Sequence, residues 1–260
     1  MRDLTEFDEL YAKLEDMKKR AVRGEIGSGA FLSPREVTYA ERYLRADGTE
    51  FFSFGGYDDA ERRRIYVLPE YMQGVSSAEG LSDYGVSCGI DAISARGSGF
   101  CTLTHRDFMG SLLGLGISRD LIGDIVMLDE HSALVLCQSH ISEFLLGEWC
   151  EVRKDRIKCS RLSLDAIEIP ERRYAQINDT VASARLDCAV AALCNLSRER
   201  AKELIISETC EVDYECESRP DKELSVPCLV SVRGYGKFRV LEIGGVTKKG
   251  RLRLCAQKFL

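Results

Sequence analysis

Apolar residues recur at helical spacing at the start of the chain. Residues 3–23 predict an amphipathic helix, because their apolar positions share one face. That face consists of Phe7, Leu10, Tyr11, Leu14 and Met17. The motif Ser33-Pro34-Arg35-Glu36 predicts the start of a second helix, with a capping box. Strands are expected at 50–54 and 62–69, beside glycine-containing turns. We predict a small α/β domain over residues 1–74.

The middle of the chain alternates between strand and helix periods. After a Gly- and Ser-rich stretch at 73–82, which predicts a linker, six elements follow in the order strand, helix, strand, strand, helix, strand. They are expected at 90–96, from Thr104, at 122–128, at 133–138, through Ile141 and Leu145, and at 150–157. This βαββαβ order is that of the ferredoxin-like plait, which many RNA-recognition domains share. We predict that plait over residues 75–168, in a chain of α+β class.

Two short helices carrying cations are predicted in the last third of the chain. Ser197 is placed to be an N-cap, and Arg198 and Lys202, four residues apart, project together from one flank. The first of the two helices has Arg185 and Asp187 at its open end. Asp187 is expected to be a structural partner of the backbone or of arginine. The buried stripes consist of Leu186, Ala189, Val190 and Leu193 in the first helix and Ala201, Leu204 and Ile205 in the second. We therefore predict an αα-hairpin.

Charge is distributed unevenly along the chain. The net charge of −6 argues against a general nucleic-acid coat. Residues 182–260 hold 14 Lys and Arg against 11 Asp and Glu, a net charge of +3, which leaves −9 for residues 1–181. A mildly basic module on an acidic body favours selective binding to one surface over adhesion to any polyanion.

The 11 cysteines indicate a reducing environment rather than a disulfide scaffold or a metal centre. No pair forms C-x-x-C, and the three histidines are not interleaved with cysteines at ligand spacing, so no metal and no cofactor are expected. The absence of an apolar run of about 18 residues argues against a membrane span. The charged amphipathic start does not resemble a targeting segment. We expect a cytoplasmic protein.

Candidate catalytic groups have simpler structural explanations. His105 and Asp107 lie two residues apart in the first turn of a helix and so point to different sides; Asp107 is better explained as a cap. The glycines at 114–116 and Gly123 follow no phosphate-loop pattern and are better explained as a helix end and a strand entry. We expect no catalytic residues, and hence no enzyme.

The last third resembles the S4 RNA-binding module. The helical hairpin is followed at the expected spacing by Val232-Arg233-Gly234-Tyr235-Gly236-Lys237-Phe238 and then by Thr247-Lys248-Lys249-Gly250-Arg251. The resemblance implies an S4 module over residues 182–260 that holds phosphates of structured RNA, arginine dominating through its planar fork. The expected RNA-binding residues are Arg185, Ser197, Arg198, Lys202, Arg233, Lys237, Arg239, Lys248, Lys249 and Arg251.

Three turns depart from that family. Glu208-Thr209 stands where most members have a glycine, Asp213-Tyr214 replaces an Asn-Gly type of turn, and Pro227-Cys228 replaces Gly-Asp. Residues 208–223 are also strongly acidic, which disfavours contact with phosphate. RNA contact is therefore expected from the helices and from residues 233–251.

Further motifs resemble the YlmH family over nearly the whole chain. They are Phe31-Leu32-Ser33-Pro34-Arg35-Glu36, Gly55-Gly56-Tyr57, Glu61 to Pro69, His105-Arg106-Asp107 through Gly114-Leu115-Gly116-Ile117, and Gly123-Asp124-Ile125. The resemblance implies a cytosolic RNA-binding protein of ribosome-associated quality control. Its implied partners are rRNA and tRNA on a large ribosomal subunit that still holds peptidyl-tRNA. A monomer is expected, with neither DNA nor membrane as a partner.

Two alternatives stay open from the residues themselves. One is an RNA-modifying enzyme or its accessory, in which the S4 module delivers the substrate. The other is a protein-interaction scaffold whose S4 fold has degenerated, which the acidic 208–223 segment and the missing turn glycines favour. A steep fall of binding with salt would distinguish RNA contact from protein contact.

Overall fold

The computed structural model describes the backbone of residues 3–248 and 250–260, and side chains from Phe7 onward except at position 249. It divides the chain into two compact units, Met1–Pro170 and Glu171–Leu260. Both combine helices with antiparallel sheets, so the mixed α and β class predicted from the sequence is confirmed.

The first unit has short strands and amphipathic helices in alternation. Its elements are α1 Asp3–Val22, β1 Gly27–Ser28, α2 Pro34–Ala46, β2 Phe51–Phe54, β3 Arg64–Val67, α3 Ala78–Asp83, β4 Ile90–Arg96, α4 His105–Gly114, β5 Ile122–Met127, β6 Ser132–Gln138, α5 Ser139–Glu148, β7 Glu151–Val152, β8 Asp155–Arg156 and β9 Lys158–Leu162. A three-stranded sheet β1-β3-β2 packs against α1 and α2.

The N-terminal helices form where the pattern predicts them. The predicted stripe of α1 is buried at Phe7, Leu10, Leu14 and Met17. At the start of α2, the Ser33 N–H donates to Glu36 Oε2 at 2.7 Å and the Glu36 N–H donates to Ser33 Oγ at 3.4 Å. This reciprocal pair is the predicted capping box.

The predicted linker at 73–82 is wrong in part, because α3 begins within it. Ser77 caps that helix by accepting from the Gly80 N–H at 3.2 Å, and Leu81 is fully buried. The Gly and Ser content that predicts a linker also supplies this N-cap.

The central segment has the predicted order of strands and helices. Its sheet has the order β5-β6-β4-β9 with every neighbouring pair antiparallel, and α4 and α5 cover one face. The predicted last strand at 150–157 is wrong. Those residues form the separate β7–β8 hairpin, and the fourth strand of the sheet is β9, with Ala92 opposite Leu162 and Arg96 opposite Lys158.

The other face of this sheet shares one core with the N-terminal segment. Leu134 and Leu136 of β6 belong to the same buried cluster as Phe31, Phe52 and Tyr66. The predicted division near residue 74 stays a prediction, and a continuous apolar core runs across it.

The second unit consists of one sheet and two helices. Its elements are β10 Tyr174–Val181, α6 Leu186–Cys194, α7 Arg198–Ile206, β11 Cys210–Val212, β12 Glu215–Cys216, β13 Cys228–Val232, β14 Gly236–Val246 and β15 Leu252–Phe259. The sheet has the order β10-β15-β14-β13-β11-β12 and is antiparallel throughout. The core joins one sheet face to both helices, through residues such as Leu186, Val190, Ile205, Phe238, Val240 and Leu254.

Two of the three turns that depart from the S4 family keep left-handed backbone conformations. Glu208 follows α7 with φ of 57°, and Asp213 and Tyr214 connect β11 to β12 with φ of 50° and 67°. Side chains other than glycine pay a steric cost in this region. The Thr209 N–H donates to the Leu204 carbonyl at 3.2 Å, which closes the helix end as a Schellman motif does.

Glu208→Gly is expected to stabilise the protein by about 1 kcal/mol, because glycine removes the cost of the left-handed conformation. Urea unfolding of the full chain measures it. Glu208→Ala is the matched control, since it removes the same charge but keeps the Cβ. An equal gain in both variants would attribute the effect to charge and contradict the backbone explanation.

Candidate nucleic-acid interface

A buried carboxylate fixes two arginines at the open end of the helical hairpin. Asp187 has no exposed surface. The Arg185 Nε–H donates to its Oδ1 at 3.2 Å, and the Arg198 Nε–H donates to its Oδ2 at 3.0 Å. The side chains of Arg185 and Arg198 remain 36% and 49% exposed. Asp187 is thus the arginine partner that the sequence predicts, and the cluster carries one net positive charge.

The start of α6 is held by a segment far along the chain. The Leu186 N–H donates to the Lys222 carbonyl at 2.8 Å, and the Asp187 N–H donates to the Pro220 carbonyl at 2.9 Å. These bonds satisfy two of the N–H groups that a helix start leaves unpaired. Nothing in the local pattern around Arg185 predicts this contact, because it depends on a return of the chain through residues 219–224.

The two arginines keep Asp187 ionised. Burial raises the pKa of Asp187, and the hydrogen bonds from Arg185 and Arg198 lower it by more, so the pKa lies below its ordinary value. A carboxylate whose pKa is lowered by folding stabilises the protein above the unfolded pKa of about 4, and this contribution is lost as the pH falls through the folded pKa.

The predicted hairpin geometry is confirmed. Asn195 ends α6 in the left-handed conformation with φ of 53°. Ser197 accepts from the Arg200 N–H at 3.2 Å and is therefore the N-cap of α7. Arg198 is exposed and Lys202 half-buried on the following turn. Arg200 pairs instead with Glu203 at 2.6 Å.

The return through residues 233–251 lies in turns and along strand β14. Arg233 is exposed, and its N–H donates to the Thr209 carbonyl at 2.9 Å, which places this turn beside the end of α7. Lys248 is exposed in the turn before β15, and Lys249 lies outside the described residues. Arg251 is engaged, since its Nε–H donates to Thr180 Oγ1 at 2.9 Å.

Lys237 and Arg239 point to the other side of the sheet. Phe238 and Val240 alternate with them on β14 and are buried against the helices, so the two cations project from the opposite face. The structure therefore divides the predicted cations between two surfaces. We call the first, formed by Arg185, Arg198 and Lys202, the helical face.

Part of the acidic segment is neutralised internally. Glu217 is buried and pairs with Arg219 at 3.2 Å and with Lys222 at 2.8 Å. Burial raises its pKa, and these cations lower it to about 2. Charge counting along the sequence does not reveal this cluster, because the pairing depends on the fold of the segment.

The candidate catalytic and metal-binding groups were also located. Asp107 accepts from the Thr104 N–H at 2.9 Å, which confirms its predicted capping role in α4. Among the residues that the structure describes, no group of three or more His, Cys, Asp or Glu side chains is arranged to hold a metal ion. No described helix has the length and hydropathy of a membrane span.

Asp187→Asn is expected to lower the free energy of unfolding by about 1–3 kcal/mol at pH 7, because the arginines lose their charged acceptor. The deficit should shrink as the pH falls below about 4, the unfolded pKa, and be lost once the pH passes the lower folded pKa of Asp187 in the parent protein. Urea unfolding at pH 7 and at a series of pH values below the unfolded pKa measures it. Glu199→Gln, which removes an exposed carboxylate from α7, should change stability by less than about 0.5 kcal/mol; an equal effect of the two substitutions would contradict the role of Asp187.

Comparison with known proteins places these features in a family context. Residues 93–166, within the central plait, match the family model described as "Putative RNA-binding domain in YlmH". The chain is 28% identical over 229 residues to the ribosome-associated protein quality control protein P2 of Bacillus subtilis (strain 168), covering 88% of this chain and 85% of that protein. The solved structure of cell division protein ylmH from Streptococcus pneumoniae shares the fold with a TM-score of 0.50 at 19% identity, covering 61% of this chain and 92% of that chain. The resemblance to the YlmH family that the sequence motifs predict is thereby confirmed.

Proposed function

We propose that this chain binds structured RNA of the large ribosomal subunit, both rRNA and tRNA, through a C-terminal S4 module. Its role would be the quality control of stalled ribosomes that hold peptidyl-tRNA. The observation that carries the proposal is the arginine pair held by buried Asp187 at the open end of the helical hairpin. A protein of this kind works in the cytoplasm as a monomer, by positioning rather than catalysis, and without a cofactor.

The arginine pair suits phosphate because it is fixed in place before RNA arrives. Arg198 uses its Nε–H on Asp187, and about half of its side chain is exposed. Holding the guanidinium in one orientation reduces the side-chain entropy lost on binding. Bidentate contact from the outer N–H groups then gives a charge-assisted bond that a free lysine does not reproduce.

The surroundings of the pair favour the same ligand. Lys202 lies one turn beyond Arg198, and the first turn of α7 presents backbone N–H groups that favour anions. The internal pairing of Glu217 reduces the repulsion that its segment would exert on phosphate. Arg233 and Lys248 extend the exposed positive charge into turns of the same unit, and we propose that Lys249 and Arg251 belong to that extension.

The ribosomal part of the proposal rests on relatives. The Bacillus subtilis protein is named for ribosome-associated quality control, and the matched domain model for RNA binding. The ferredoxin-like plait would add contacts to the same particle, as plaits do in other RNA-binding proteins.

Arg198→Ala is expected to weaken binding to purified large ribosomal subunits by about 1–3 kcal/mol, roughly 5- to 100-fold, because a charge-assisted phosphate contact is lost. Arg200→Ala is the matched control, because Arg200 lies on the same helix but is paired with Glu203. Sedimentation of the tagged protein through sucrose gradients gives the cellular measurement. Unchanged association of Arg198→Ala with large subunits would contradict the proposal.

Two further results would separate the alternatives. Binding that falls steeply with salt supports phosphate contact, whereas salt-independent binding would favour a protein scaffold. A change in the mass of rRNA or tRNA after incubation with the purified protein would favour an RNA-modifying enzyme.

A further inference from the structure

The face of the C-terminal sheet opposite the helices carries an unusual set of side chains. We call it the open face and define it by alternate residues of three adjacent strands. They are Tyr174, Gln176 and Asn178 of β10, Cys255, Gln257 and Phe259 of β15, and Lys237 and Arg239 of β14. Both helices of this unit pack on the other face. Aromatic rings, amides and cations thus project together from a flat surface.

The strand register brings the rings and cations into adjacent rows. Tyr174 lies directly opposite Phe259, and their rings meet edge to face at a centroid distance of 5.1 Å. In the next row, Gln176 lies opposite Gln257, which lies opposite Arg239. Residues paired in this way have Cβ atoms about 5 Å apart, so each row is one continuous contact surface.

Cations surround the Phe259 ring. The Lys237 Nζ lies 5.4 Å and the Arg239 Cζ 5.6 Å from its centroid. Lys237 also lies 4.9 Å from the Tyr214 ring. Tyr174 and Phe259 are half-buried and Arg239 is exposed. Rings in the core of a sheet are buried among apolar side chains. Here the rings lie beside cations at the surface, so both can contact a ligand together.

The chemistry of this surface selects one class of ligand. Aromatic rings stack on unpaired bases, amides bond to base edges, and lysine and arginine contact the phosphates that connect the bases. In a duplex the bases are stacked on one another, so the rings have no base face to meet. Three carboxylates share this side. The register places Glu211 beyond Ser231 at the far end of the row of Phe259 and Lys237, Asp213 beyond Leu229 at the far end of the row of Arg239, and Glu242 opposite Cys255. In the first two rows an uncharged residue separates the carboxylate from the cation, and Asp213 Oδ1 accepts from the Leu229 N–H at 2.8 Å.

We propose that the open face binds a single-stranded RNA segment, with a base stacked on Phe259 and phosphates held by Lys237 and Arg239. This inference rests on the proposed function in that RNA is the shared partner. It assigns a second surface of the same unit, distinct from the helical face, to a different RNA structure. The chain then holds folded RNA with one side of the unit and an unpaired strand with the other.

The test uses the full chain and a fluorescein-labelled oligouridylate of ten nucleotides, measured by fluorescence anisotropy. Phe259→Ala is expected to weaken binding roughly 5- to 100-fold, the range for loss of one stacked base. Phe259→Tyr keeps the ring and should stay within about twofold of the parent. Arg239→Glu reverses an exposed charge while keeping the Phe259 ring, and it should also weaken binding. A 4-thiouridine probe should cross-link to peptides that contain Tyr174 or Phe259.

The same variants on purified large subunits separate this inference from the proposed function. Arg198→Ala should weaken oligouridylate binding much less than Phe259→Ala does, and Phe259→Ala should weaken subunit binding much less than Arg198→Ala does. Subunit binding that persists in Phe259→Ala also shows that this variant is folded. Absence of oligouridylate binding in the parent, or cross-links confined to α6 and α7, would overturn the open-face assignment while leaving the helical face intact. Subunit binding that requires Phe259 without any oligouridylate binding would indicate a protein contact and would also overturn it.

Discussion

The interaction on which the C-terminal unit depends is the ion pairing of Asp187 with Arg185 and Arg198. A carboxylate without exposed surface is costly unless its charge and its hydrogen-bonding capacity are satisfied. The two arginines that satisfy it come from the residue before α6 and the first residue of α7. The returning carbonyls of Pro220 and Lys222 hold the backbone N–H groups at the start of α6 beside it. The same requirement fixes the positions of the two guanidinium groups. The stability of this unit and the placement of the two exposed arginines therefore have one physical origin.

Features of the fold that depend on neighbours in the sequence could be predicted from it. The capping boxes at Ser33 and Thr104 and the N-cap at Ser197 are confirmed because a cap is determined by the three or four residues that follow it. The buried stripes of α1, α6 and α7 are confirmed because helical period alone determines which residues share a face. The first five elements of the central segment, β4 to α5, follow likewise from the strand and helix periods of their own residues.

Features that depend on strand register or distant contacts could not be predicted. Periodicity predicts the last plait strand at 150–157, but the strand that pairs with β4 is β9. The sequence does not indicate which of two neighbouring β segments joins the sheet, because that depends on strand pairing. The sequence shows Glu217 only as a member of an acidic segment. Its ion pairs with Arg219 and Lys222 depend on the fold of that segment. Lys237 and Arg239 appear to continue one basic track, yet the alternation of side chains along β14 places them on the sheet face away from the helices. Cations close in sequence therefore need not share a surface.

This division bears on the RNA binding that we propose for a chain whose net charge is negative. The net charge is −6 for the chain and −9 for residues 1–181, so the chain as a whole is repelled by the negative charge of RNA. At physiological ionic strength, however, a charge is screened beyond about 8 Å, and a phosphate responds mainly to the groups it touches. Two groups of side chains would act at contact distance. They are the arginines held by Asp187 and the rings flanked by cations on the open face. In the RNA binding that we propose, selectivity follows from geometry, because an RNA that matches neither surface meets only the net negative charge of the rest of the chain.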